Sequence, residues 1–167
     1  AEAPATGSPY LNAHYYDVTF GDFAVTEITG RDILHDSDSD DVLVGVDAGA
    51  SAPGQGEIDV FVGNAGADVF VFGDAQGAYY GDGNDADTGE ADYAFVWDFV
   101  SGTDQIQLSG SAQDYLLTAD AAGLPAGTAV WLLGTGGQED ELIAVLNNAY
   151  ALDLGSSDFT YLDDMLA

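Results

Sequence analysis

Aspartate recurs every nine residues across one stretch of the chain, and a large apolar residue keeps the same beat two positions later. Stepping by nine from Asp32 gives Asp41, Ala50, Asp59 and Asp68; the companion positions are Leu34, Leu43, Ala52, Phe61 and Phe70. Gly45, Gly54 and Gly63 stand five residues before the last three members of the aspartate register. Three registers on one period mark an internal repeat, and repeats of this kind bury their apolar residues by stacking on one another. The copies are unequal. "GNAGADVFV" (63–71) and "GQGEIDVFV" (54–62) keep the aspartate and the apolar residue, and "DSDSDDVLV" (36–44) keeps both but replaces glycine with Asp and Ser. "GVDAGASAP" (45–53) has lost both.

Charge is what makes the repeat informative. Thirty acidic side chains face a single basic one, Arg31, and the formal net charge is -29. Twenty-four of the acids are Asp and six are Glu. Asp suits turns and cation-binding loops, whereas helix surfaces favour Glu. With 22 glycines, the chain reads as strands joined by tight turns. A compact state of this charge repels itself, and bound cations are the simplest neutralising partner. The alternative is a solvated acidic surface of the halophilic kind, which has no need of nine-residue spacing. Nucleic acid and anionic membranes are excluded as partners by the same charge. No apolar run is long enough to span a bilayer, so membrane insertion is not expected.

The length of 167 residues suits one domain, and 47% hydrophobic residues can fill a core. There is no cysteine, which removes disulfides, zinc-thiolate sites and a cysteine nucleophile and leaves metal as the available staple for a secreted chain. The opening "AEAPATGSP", without Met, reads as a processed or trimmed product.

"GNAGADVFV" matches the calcium-binding nonapeptide G-G-x-G-x-D-x-U-x at every fixed place except the second, Asn64. Here the chain resembles the RTX, or hemolysin-type, calcium-binding family. The resemblance implies an all-β fold: a short right-handed parallel calcium β-roll continued into a β-rich C-terminal cap. Each nonapeptide gives a turn of about six residues and a strand of about three. The apolar residue points inward, glycine frees the turn backbone for φ > 0, and aspartate offers oxygens to an ion held between stacked turns. If two nonapeptides make one coil, residues 18 apart stack. Asp41 and Asp59 then share one ion on one side, while Asp32 and Asp68 lie on the other in a column broken at Ala50. A roll of about two to three coils is expected.

In "HDSDSDDVLVG" (35–45), Asp41 is the repeat aspartate, and Asp36, Asp38 and Asp40 offer extra carboxylates to the same ion. The rivals are an EF-hand loop and a plain solvated turn. The EF-hand fails in detail, because Asp41 stands where its glycine belongs and Asp47 where its Glu belongs. "DYAFVWDFVSGTDQIQLSG" (92–110) reads as two strands joined by an "SGTD" turn, a hairpin capping the open end of the roll. It resembles the segment after the repeats in serralysin-type proteases and in cyanobacterial hemolysin-like sequences. That resemblance implies Asp98 and Asp104 as ligands of a terminal calcium. The candidate calcium residues are therefore Asp32, Asp36, Asp38, Asp40, Asp41, Asp59, Gly63, Gly66, Asp68, Asp98 and Asp104.

"YYGDGNDADTGEAD" (79–92) has carboxylates close enough to chelate but no template spacing, and reads as a flexible acidic loop. Residues 129–133 and 142–146 read as strands around a glycine turn, with a helix over the second run as the alternative. The terminal "SSDFTYLDDMLA" reads either as a type I secretion signal or as a last core strand at 159–162. Residues 1–29 form an N-terminal extended segment with one or two strands, 30–75 the β-roll and 76–167 the cap. The early strands either cap the first coil or pair with another molecule.

No enzyme motif is present. His14 and His35 form no metal pair, and there is no G-x-S-x-G or P-loop. RTX enzymes place the catalytic domain before the repeats, and some thirty residues precede them here. The expectation is an extracellular, non-enzymatic calcium-binding protein that folds on binding calcium. Its role would be structural, at the cell surface or in extracellular matrix, with self-assembly into a homo-oligomer or filament through edge strands. The alternatives are the C-terminal folding and secretion module of a larger RTX enzyme or adhesin, and a soluble calcium buffer.

Overall fold

A computed structural model describes residues 13–17, 24–26 and 31–163. The expectations for residues 1–12 and for the last four residues of the secretion-signal reading lie outside them. The described chain is all-β, with one short 3-10 turn at Ala112–Asp114. No helix among these residues is long and apolar enough to cross a membrane.

Most strands lie in two sheets, and through the repeats successive strands alternate between them. The first holds β1 (Ala13–Asp17), β3 (Arg31–His35), β5 (Ile58–Val62), β9 (Tyr93–Val96), β13 (Glu141–Asn147), β12 (Gly127–Leu132) and β11 (Tyr115–Ala119), in that spatial order. The second runs β14 (Phe159–Leu162), β10 (Gln105–Ser109), β6 (Val69–Val71), β4 (Val42–Val44) and β2 (Ala24–Thr26). Within these two sheets all pairings are parallel except β11 with β12 and β12 with β13, which are antiparallel. A minor hairpin pairs β7 (Gly73–Asp74) with β8 (Gly77–Ala78).

Parallel register stacks the apolar repeat positions into two ladders. Leu34, Phe61, Val96 and Leu146 align in the first sheet, and Leu43, Phe70, Ile106 and Phe159 in the second. All eight are buried in one core. The rings of Phe61 and Phe70, one from each sheet, meet edge to face with centroids 6.2 Å apart, so the sheets pack against each other through the ladders. Strand β5 shows why "IDVFV" behaves as it does. A period of two sends Asp59 and Phe61 inward and leaves Ile58, Val60 and Val62 half-buried.

The stacking period differs from the expected one. β1 pairs with β3 and β2 with β4 at an offset of 18, Ala13 opposite Arg31 and Ala24 opposite Val42. Between β3 and β5, and between β4 and β6, the offset is 27: Leu34 lies opposite Phe61, and Leu43 opposite Phe70. The defective copy, Gly45–Pro53, makes no strand and is carried in the connection from β4 to β5. Lacking the inward aspartate and the large apolar residue, it adds no rung to the ladders, although Val46 is buried in the core. Asp41 therefore does not stack beside Asp59, as an 18-residue coil required, and no column is broken at Ala50.

One further expectation changes. The segment 92–110 is not a hairpin, because β9 and β10 lie in different sheets. Past residue 75, β9 and β13 join the first sheet and β10 and β14 the second as parallel strands, and the antiparallel β12 and β11 extend the first. The strand reading of the two later apolar runs holds, with β12 and β13 antiparallel and no helix in the second. Phe159–Leu162 is a strand that pairs with β10.

Candidate metal centre

Among the described residues, the first-to-second-sheet connections lie at one end of the stack: residues 36–41, 63–68, 97–104 and 148–158. Most of the carboxylates singled out in the sequence gather there. Asp41, Asp68 and Asp104 occupy equivalent places just before β4, β6 and β10. The N–H of Asp41 donates to Asp68 Oδ1 at 3.1 Å, and the N–H of Asp68 donates to Asp104 Oδ1 at 3.2 Å. Each carboxylate thus ties its own layer to the preceding one. Asp104 Oδ2 also accepts the Val100 N–H at 2.8 Å, closing its own turn.

The neighbouring turns nest. Gly63 and Asn64 donate their N–H groups to Asp98 Oδ1 and Oδ2 at 2.9 and 2.8 Å. Ala67 N–H donates to Asp40 Oδ1 at 2.8 Å, and Asn64 Nδ2 donates to the Asp36 carbonyl. Ser37 bridges two acids, its N–H to Asp36 Oδ1 at 2.7 Å and its hydroxyl to Asp41 Oδ2 at 2.9 Å. Two glycines permit this closeness. A Cβ on Gly66, where φ is +130°, would strike the Ser39 carbonyl, and one on Gly63 would strike the Asp68 carboxylate.

Carboxylates outnumber basic side chains at this end, where His35 beside Asp36 favours the charged form of that carboxyl. Asp36, Asp41, Asp68 and Asp104 are buried. Oδ2 of Asp36 and Oδ2 of Asp68 are buried and accept no hydrogen bond. Burial pushes the Asp36 carboxyl up to about 6 against the lowering effect of the Ser37 N–H, and Asp41 adds to the rise. Burial likewise pushes Asp68 up to about 7, opposed by the Asp41 N–H, with Asp104, Asp36 and Asp41 adding repulsion. The only arginine, Arg31, begins β3 and is exposed, roughly 16 Å along the strand from Asp36 at the usual rise per residue. Oxygen-only donors, crowded and negative, suit a hard cation. Asp38 is exposed on the outside of the same turn.

Asp32 and Asp59 lie at the other end of the layers, so the structure does not bring them to the other candidates. The Asp32 N–H donates to Asp59 Oδ1 at 2.8 Å, and the Tyr80 hydroxyl donates to Asp59 Oδ2 at 2.7 Å. Burial pushes Asp59 up to about 7, with those two hydrogen bonds opposing it. Tyr80 is fully buried against Phe72 at 6.1 Å between ring centroids. A residue from the acidic loop therefore seals Asp59 inside the core.

Sequence reasoning passed over three acids. Asp158 is buried and accepts the Gly102 N–H at 2.8 Å and the Ser101 hydroxyl at 2.6 Å, repeating the layer-tying role of Asp98. Its position just before an apolar strand was the available signal. Asp92 and Glu141 meet Asp82, with one oxygen from each within 4.8 Å of the others. Nothing in their separation along the chain announces this. Compared with known proteins, the chain matches no family model and no curated protein.

Proposed function

We propose that the chain is a secreted, non-enzymatic calcium-binding protein of the RTX type, a parallel β-roll whose short-turn end takes up calcium. The role assigned is structural, at the cell surface or in extracellular matrix, with self-assembly through sheet edges. One observation carries the reading: buried Asp36, Asp41, Asp68 and Asp104 crowd one end with His35 as the basic side chain beside them, and Oδ2 of Asp36 and of Asp68 accept no hydrogen bond. Uncompensated buried carboxylates are unstable in water-excluding surroundings, so they take protons or a cation. At neutral pH and millimolar extracellular calcium, calcium is the available partner. Binding free energy then becomes folding free energy, which lets the chain be exported unfolded and fold outside.

Assembly rests on the open end of the stack. Among the described residues, β1 and β2 are the outermost strands of the two sheets on the same side. An unpaired parallel edge accepts a further layer. A second copy supplying that layer gives a polymer, whereas further layers of the same chain make this a module of a larger RTX enzyme or adhesin.

The test is a calcium titration of chelator-stripped protein, followed by circular dichroism and light scattering together. Cooperative gain of β signal with calcium, and none with equal magnesium, is the expected result. Scattering that rises with it supports the polymer; a constant monomer supports the module. A spectrum fully folded without calcium and unchanged by it overturns the reading and leaves the halophilic acidic surface.

A further inference from the structure

Segments remote in sequence converge at the long-connection end. The Tyr80 N–H donates to the Pro53 carbonyl at 2.9 Å, the Leu142 N–H to the Thr88 carbonyl at 3.1 Å, and the Glu139 N–H to the Asp85 carbonyl at 3.1 Å. Residues 82–92 are thereby laid along the start of β13. Asp82, Asp92 and Glu141 meet at this junction, one oxygen of each within 4.8 Å of the others.

The middle member is the informative one. Asp92 is fully buried. Its Oδ2 accepts the Gly56 N–H at 2.8 Å, while its Oδ1 is buried and accepts nothing. Glu141 accepts the Asp82 N–H at 2.9 Å. It also packs on Gly89, where φ is +67° and a Cβ would strike the carboxylate. Three carboxylates held together by backbone donors, one of them with a bare buried oxygen, repel one another unless a cation lies among them.

We infer that Asp82, Asp92 and Glu141 are the protein ligands of a calcium-sized hard cation that clips the acidic segment 82–92 onto β13. The donors are all oxygen, as calcium and magnesium require. Ligands drawn from separate, irregular segments suit calcium, whose coordination is flexible, better than magnesium, which demands a near-ideal octahedron. Waters fill the remaining positions. The short-turn stack contributes none of these ligands, so the site is separate from the one on which the proposed function rests.

The test is hydrogen exchange of the full chain during a calcium titration after chelator treatment, read separately for 82–92 and for the turns 36–41 and 63–68. Calcium should slow exchange across 82–92, and equal magnesium should not. Glu141→Gln should raise the calcium midpoint of that segment at least tenfold while the turns keep theirs. Asp68→Asn should do the converse. Asp82→Asn, which leaves β13 untouched, repeats the measurement should Glu141→Gln disturb the strand. Exchange at 82–92 that ignores calcium, or a midpoint within twofold of wild type in both Glu141→Gln and Asp82→Asn, overturns the inference. Protection at 82–92 with turns indifferent to calcium would sink the proposed function and leave this site standing.

Discussion

At one end of the paired sheets, β3 passes to β4 and β5 to β6 through turns of equal length, residues 36–41 and 63–68. At the other end, residues 45–57, 72–92 and 110–140 share neither length nor conformation. The first end is held by a repeated contact, a carboxylate of one layer accepting an N–H of the layer before it. The second is held by single contacts, such as the Tyr80 hydroxyl on Asp59 and the Asp82 N–H on Glu141. A repeated turn must fit its own copy above and below, so it tolerates little change. A long connection needs only to return the chain to the next strand, so it can accumulate residues and acquire sites of its own.

That contrast is open to attack by mutation. The largest effect is expected at Gly66, where the added methyl of Gly66→Ala meets the Ser39 carbonyl of the neighbouring turn. Backbone against backbone cannot give way, and φ is positive as well, so a loss of about 2–4 kcal/mol is expected. The control is Gly102→Ala, at φ +80° but in open space, with about 1 kcal/mol expected from the dihedral alone. Denaturant unfolding in saturating calcium measures both, and equal losses would mean that the turns do not nest.

Next is Tyr80→Phe, which strips a donor from the buried Asp59 carboxylate. A loss of about 1–3 kcal/mol is expected from leaving that oxygen unpaired. Chemical denaturation measures it, and a cost under a few tenths of a kcal/mol would show that the insert does not seal the core.

A pH dependence follows from the same residue. Burial raises the Asp59 carboxyl from 3.8 to about 7 in the folded state. Between those values the native state holds a proton that the unfolded state has released. Stability from this group is therefore greatest below about pH 4 and declines as pH rises toward 7. Thermal unfolding in saturating calcium across that window should show the decline as a difference between wild type and Asp59→Asn. A difference that grows with pH there would mean that Asp59 is ionised at little cost.

The smallest effect is expected at Ala50. Restoring the repeat aspartate with Ala50→Asp should change stability by less than about 0.5 kcal/mol, because the residue is exposed in a connection outside the ladder. Calcium stoichiometry measured by titration calorimetry should also be unchanged. A gained ion or a shifted register would show that the nine-residue copy can re-enter the stack.

The sequence by itself determined the inward ladders. Leu34, Leu43, Phe61 and Phe70 stand two residues after an aspartate, and strand geometry leaves such a pair facing one way, so the pattern could be read without a structure. It also determined the acidic character of the short turns, since Asp and Gly at those places leave few other conformations. Only the tertiary structure decided which layers touch. Register is a competition among whole copies, and Gly45–Pro53 drops out because it lacks the aspartate and the large apolar residue that make a rung, which moves Asp41 from beside Asp59 to beside Asp68. The same holds for Tyr80 over Asp59 and for Asp82, Asp92 and Glu141. These contacts join residues separated by long connections, and a periodic sequence carries no record of where an aperiodic connection will lie.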